Sequence, residues 1–194
     1  MSRTDSERHG DQPGTNVIPF QQTISPRSRR FRSKTDPARG PGTWVISDEA
    51  RMALEKCELL RDLDRHQLMA VAALVEEVSF DANEMLIQES RPARYVYVIT
   101  EGHCVAQVEM EHGWLSLGTI GPGDAAGWSS LIADKIYPAS VRSLTHMRCA
   151  RIESDGLRLL LNLEPEIGYP VVKRLSAIFC AQYEAALRAL KTTG

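Results

Sequence analysis

The residues with the clearest chemical potential lie in one stretch, Gly121–Ser143, which reads GPGDAAGWSSLIADKIYPASVRS. Gly121-Pro122-Gly123-Asp124 is a tight-turn signal, and Gly127 to Ile132 suits a single helical turn. A turn that feeds a short helix gathers backbone N–H groups and the positive end of a helix dipole at one spot. That arrangement suits an anion, above all a phosphate. Ser129, Ser130 and Ser140 add small donors, whose competing use is to satisfy the turn backbone. Arg142 is a cation close by.

Metal and covalent chemistry find little support. His103 and Cys104 are neighbours on an expected strand, so their side chains face opposite sides. His146 and Cys149 are poorly spaced for co-ligands, and no His-x-His pair occurs. No nucleophile–base motif, P-loop or GxGxxG is present. Cys57, Cys104, Cys149 and Cys180 are far apart and read as small buried hydrophobes rather than a disulfide frame. No metal, no cofactor and no enzymatic activity are expected.

The elements that must position the stretch follow from the patterning. The chain has 194 residues, enough for one domain and a tail, with 43% hydrophobic and 25% charged residues, as in ordinary globular proteins. No apolar run approaches the length of a membrane span, and the N-terminus lacks the apolar core of a secretion signal, so a cytoplasmic location is expected. Residues 1–43 are rich in Pro, Gly, Ser and Arg and are expected to form a disordered basic tail, with eight Lys/Arg against four Asp/Glu. The apolar island Val17–Phe20 and the basic cluster Arg27–Lys34 make residues 17–34 a candidate docking segment for a protein partner. The rest, 44–194, is mildly acidic and carries no sign of a nucleic-acid face.

Ser47 to Cys57 suits a short helix. Asp64 with Gln67 forms a capping-box pattern ahead of a helix expected over about 65–76. From about 80 to 152 short β-rich runs alternate with Gly-bearing turns, the pattern of a β-sandwich or jelly roll. Tyr95–Ile99 is apolar on both faces, which marks a central strand. Helices are expected over about 155–192. Ser154 or Asp155 is the expected cap of the first, and Pro165 suits the start of the second. Pro170 predicts a kink or a late start. Val171, Leu175, Ile178 and Gln182, with Phe179 alongside, give the long helix a broad apolar face.

The cassette, with Pro122, Gly123, Asp124, Gly127, Leu131, Ala139, Val141 and Arg142 in register, resembles the phosphate-binding cassette of the cyclic nucleotide-binding domains. The RYVYVITEGHCVAQV segment is similar to a hairpin of the same family. The resemblance covers about 55–190. It implies an α+β fold, an antiparallel β-roll (jelly roll) flanked by short N-terminal helices and a long C-terminal helix. It also implies ligand-site candidates Gly127, Trp128, Ser129, Ser130, Leu131, Tyr137, Ala139 and Ser140. The long helix is the family's dimer helix, so a homodimer through Val171, Leu175, Ile178, Phe179 and Gln182 is expected. A helix-turn-helix follows that helix in the transcription-factor branch, whereas this sequence stops at Gly194, so sequence-specific DNA binding is not expected.

The departures fall on the residues that grip the nucleotide. Trp128 stands where the family has a ribose-binding Glu, Tyr137 where it has a phosphate-pairing Arg, and Pro138 where it has a Ser/Thr that donates to the phosphate. Charge-assisted hydrogen bonds contribute about 1.5–3 kcal/mol each, so losing two lowers affinity on the order of 100- to 10,000-fold. The expected function is therefore a non-enzymatic sensor or adaptor domain that has lost the usual cAMP and cGMP contacts. The alternatives are a genuine sensor of a small ligand, a cyclic nucleotide or another molecule, in a modified pocket, or a scaffold or cargo-type adaptor docking through its N-terminal tail.

Overall fold

Alternation along one strand dictates the layers of the molecule. In β4 (Tyr95–Glu101), Val96 and Val98 point to one side, and Tyr97 and Ile99 to the other. All four are buried, so the strand has a packed layer on each face. The structure, a computed structural model, describes residues 29–30, 45–132 and 136–192. Apart from Arg29–Arg30, the tail and the docking segment 17–34 lie outside the described residues.

The described elements are β1 (Arg29–Arg30), α1 (Asp48–Lys56), α2 (Arg65–Ala72), β2 (Val75–Phe80), β3 (Met85–Ile87), β4, β5 (Cys104–Met110), β6 (Gly113–Ile120) and β7 (Ala125–Ala126). A 3-10 turn (Trp128–Leu131), β8 (Ser140–Ser143), β9 (Met147–Glu153), α3 (Ser154–Leu163) and α4 (Pro165–Thr192) follow. Two antiparallel sheets form, ordered β1-β2-β9-β4-β7 and β3-β8-β5-β6. Between them Val78, Phe80, Tyr97, Ile99, Val141 and Met147 make one core. On the outer face of the first sheet, Val96, Val98, Ala150 and Ile152 pack under the helices, against Leu54, Leu60, Leu157 and Leu175. This is the α+β roll with short leading helices and a long final helix.

Four local expectations are corrected. The helix expected to reach 76 ends at Ala72, because from Val75 the chain pairs residue for residue with β9, Val75 with Ile152 through Phe80 with Met147. The continuous run of strands therefore begins at 75 rather than about 80, with Arg29–Arg30 paired on the outer edge of β2. Ser154 and Asp155 do not cap α3; Glu153 holds that position without a side-chain bond, and Ser154 is the first helical residue. Asp64 and Gln67 do form the reciprocal capping box.

Pro170 sits inside a helix that runs on from Pro165, so the late start is overturned. A proline has no N–H for the carbonyl four residues back, here that of Glu166. Gln67 Nε2 donates to the Glu166 carbonyl at 3.2 Å and fills the vacancy. Near this point α3 and α4 approach closely: a Cβ on Gly168 would lie 2.1 Å from the Leu161 carbonyl oxygen, which leaves glycine as the residue that fits. Arg174 fixes the same half of α4 through two 2.6 Å bonds to Asp62.

Candidate functional site

The cassette is built along the edge of β4 opposite β9. Toward the end of β4, the Ile99 N–H donates to the Asp124 carbonyl and the Gly123 N–H donates to the Ile99 carbonyl. Tyr97 then pairs with Ala126. The chain leaves the strand at Gly127, whose φ of +76° is left-handed. A Cβ there would meet the Tyr95 carbonyl oxygen at 2.7 Å and Ile87 Cδ1 at 2.9 Å, so the turn requires glycine.

Past the end of β7, a side chain continues the ladder. The Tyr137 hydroxyl donates to the Tyr95 carbonyl at 2.8 Å and accepts from the Tyr95 N–H at 2.9 Å. The phenol is only 6% exposed, and burial pushes its pKa above the ordinary value. Tyr137 is thus a strut that completes a sheet edge, with both capacities of its hydroxyl in use.

The serines divide between site and scaffold. Buried Ser130 accepts from the Ser154 hydroxyl at 2.7 Å, and its carbonyl accepts from Arg158 Nη1 at 2.7 Å, so the 3-10 turn is tied to α3. Buried Ser140 accepts from the Glu89 N–H at 3.0 Å. Arg142 Nη1 reaches Asn83 Oδ1 at 3.3 Å, and Arg142 does not line the cleft.

A cleft of about 950 Å³ lies between the cassette, β6 and α4. Of the expected ligand residues, Gly127, Trp128, Ser129, Tyr137 and Ala139 line it, whereas Ser130, Leu131 and Ser140 do not. Trp128 is half-buried, with one part against the helical core and another on the cleft wall. Phe179, Gln182 and Tyr183 of α4 form the facing wall, and Glu58 and Leu59 contribute from the loop after α1. The sequence pattern marked Phe179 for a dimer contact, not for this wall; the Phe179/Tyr183 spacing along one helix face was the available signal. Nothing in the sequence singled out Glu58.

The expected dimer face is split. Val171 and Leu175 are buried in the protomer's own core and Ile178 packs partly against it, while Phe179 is 56% exposed and Gln182 is exposed. The heptad-like stripe read as one surface therefore serves two purposes. A partner helix has access to the outer residues only.

Comparison with known proteins places this geometry. Residues 77–163 match the family model described as cyclic nucleotide-binding domain. The roll thus matches the cyclic nucleotide-binding domain model, as its cassette and hairpin implied. The chain is 28% identical over 111 residues to a cAMP-dependent protein kinase regulatory subunit of Dictyostelium discoideum, covering 55% of this chain and 34% of that one. It is 30% identical over 128 residues to an uncharacterized NTE family protein of Mycobacterium bovis, covering 66% of this chain and 21% of that one. The chain thus spans about a third or less of these relatives' length. Among solved structures, a cyclic nucleotide-binding domain from Methylobacillus flagellatus superposes with a TM-score of 0.65 at 20% identity, over 76% of this chain and 83% of that one. No described helix is long and apolar enough to cross a membrane.

Proposed function

We propose that this chain is a non-enzymatic regulatory domain of the cyclic nucleotide-binding family that does not hold cAMP or cGMP by the family's usual contacts. One observation carries the reading. At the position where the resemblance calls for a phosphate-pairing Arg, Tyr137 is buried and both capacities of its hydroxyl are committed to Tyr95. Arg142 offers no substitute, because it is engaged with Asn83 away from the cleft. A phosphate bound here meets backbone N–H groups without a described cation among the lining residues.

The cleft supports the second reading, a sensor of another small ligand. It is open, roomy and walled mainly by apolar side chains, the usual character of a small-molecule site. Self-association through α4 is part of the proposal. It falls to Phe179, Gln182 and Tyr183, since Val171 and Leu175 are already used. A docking role for residues 17–34 and a cytoplasmic setting complete it.

Calorimetric titration with cAMP and with cGMP tests the central claim. The expected result is no saturable heat up to about 1 mM, an affinity no better than roughly −4 kcal/mol. Micromolar binding that weakens on Trp128→Ala or Tyr137→Phe overturns it.

A further inference from the structure

The described walls of the cleft share one electrostatic sign. Trp128, Tyr137, Phe179 and Tyr183 supply aromatic rings, and Glu58 and Asp124 are the acidic residues of the lining, Asp124 with Oδ2 accepting from the Gly121 N–H at 2.9 Å. No Lys, Arg or His is found among the described lining residues. The face of an aromatic ring carries negative charge density and attracts cations. Carboxylates beside low-dielectric walls add to the same field. The Tyr137 hydroxyl is tied to Tyr95, so that residue offers the cleft its ring and no free donor. Arg174, a cation from α4, is held by Asp62 through both guanidinium contacts.

An anion entering this cleft gives up hydration and gains no counter-charge from the described walls. A neutral apolar guest uses the rings and leaves the carboxylates idle. A guest that uses both has an apolar body and a positive charge. We infer that the cleft takes a hydrophobic organic cation, an amine or quaternary ammonium with a ring-bearing or branched apolar body. The inference rests on the reading that the phosphate grip is lost, and goes beyond it by assigning the ligand's charge.

The test uses the full chain and two ions of matched size and shape, tetraphenylphosphonium and tetraphenylborate, titrated by calorimetry and tryptophan fluorescence, with cAMP as a third arm. The cation is expected to bind at least about tenfold more tightly than the borate. Glu58→Gln should loosen the cation by roughly two- to fivefold and not the borate. Phe179→Ala should loosen the cation by about threefold or more; Phe179 is exposed, so this variant is expected to fold, and a circular dichroism melt checks that it does. Equal or tighter binding of the borate overturns the inference, as does no saturable binding of the phosphonium, or a cation affinity that neither variant changes. Micromolar cAMP binding overturns the preceding reading instead. A borate preference with cAMP still silent overturns the charge assignment alone.

Discussion

The floor of the cassette and the wall that faces it use their residues in opposite ways. On the floor, polar groups are tied to the scaffold: Tyr137 to Tyr95, Ser130 to Ser154 and Arg158, Ser140 to Glu89. On the facing wall, Phe179 and Tyr183 stand more than half exposed on α4, with the cleft before them. In the family the floor is where the resemblance puts the ligand's phosphate. Here those side chains are bonded to the scaffold, and the exposed residues of the facing wall on α4 include the aromatic Phe179 and Tyr183. The cradle's shape rests on backbone pairing and on Gly127 rather than on charged side chains.

This contrast can be broken at several points. The largest effect is expected within α4 itself. Leu175→Ala, 2% exposed, should cost about 2–5 kcal/mol in a urea melt, whereas Phe179→Ala one turn on should stay within about 0.5 kcal/mol. Equal costs would mean that the second half of the helix is packed like the first. Next, Tyr137→Phe keeps the ring and removes the hydroxyl, leaving two backbone groups of Tyr95 without a partner. A loss of about 1–3 kcal/mol is expected, read by the same melt. A neutral result would return the hydroxyl to the role of a ligand group.

The smallest effect concerns the ion pair that holds the packed half of α4. The hydrogen bonds from Arg174 keep the Asp62 carboxyl below its ordinary value. Its stabilisation is therefore present above the unfolded pKa, about 4, and fades as pH falls through the lower folded value. The difference in urea midpoint between the native chain and Asp62→Asn should be small at pH 7 and shrink progressively as pH falls below about 4. A difference that persists in acid would show that packing, not charge, sets the contact.

The frame of the molecule was legible in the sequence for a physical reason. Tyr95–Ile99, apolar on both faces, is a central strand with a core on each side, and the Asp64/Gln67 spacing forms its capping box. The cassette turn was legible because Gly127 sits where a Cβ has no room. What escaped was long-range. Ser154 reads as a helix cap by local rule, yet its hydroxyl goes to Ser130, a partner 24 residues away. Val171 and Phe179 look alike along a helical wheel, and only the packing of other elements tells which is covered. The role of Tyr137 depends on a strand 42 residues away, beyond the reach of any spacing argument.

Gln67 holds two helices with one amide. Its oxygen accepts from the Asp64 N–H and so starts α2, while its nitrogen donates to the carbonyl that Pro170 leaves unpaired. The long helix is thus anchored near its beginning by a side chain belonging to another, so one substitution at Gln67 removes a bond from the start of each helix.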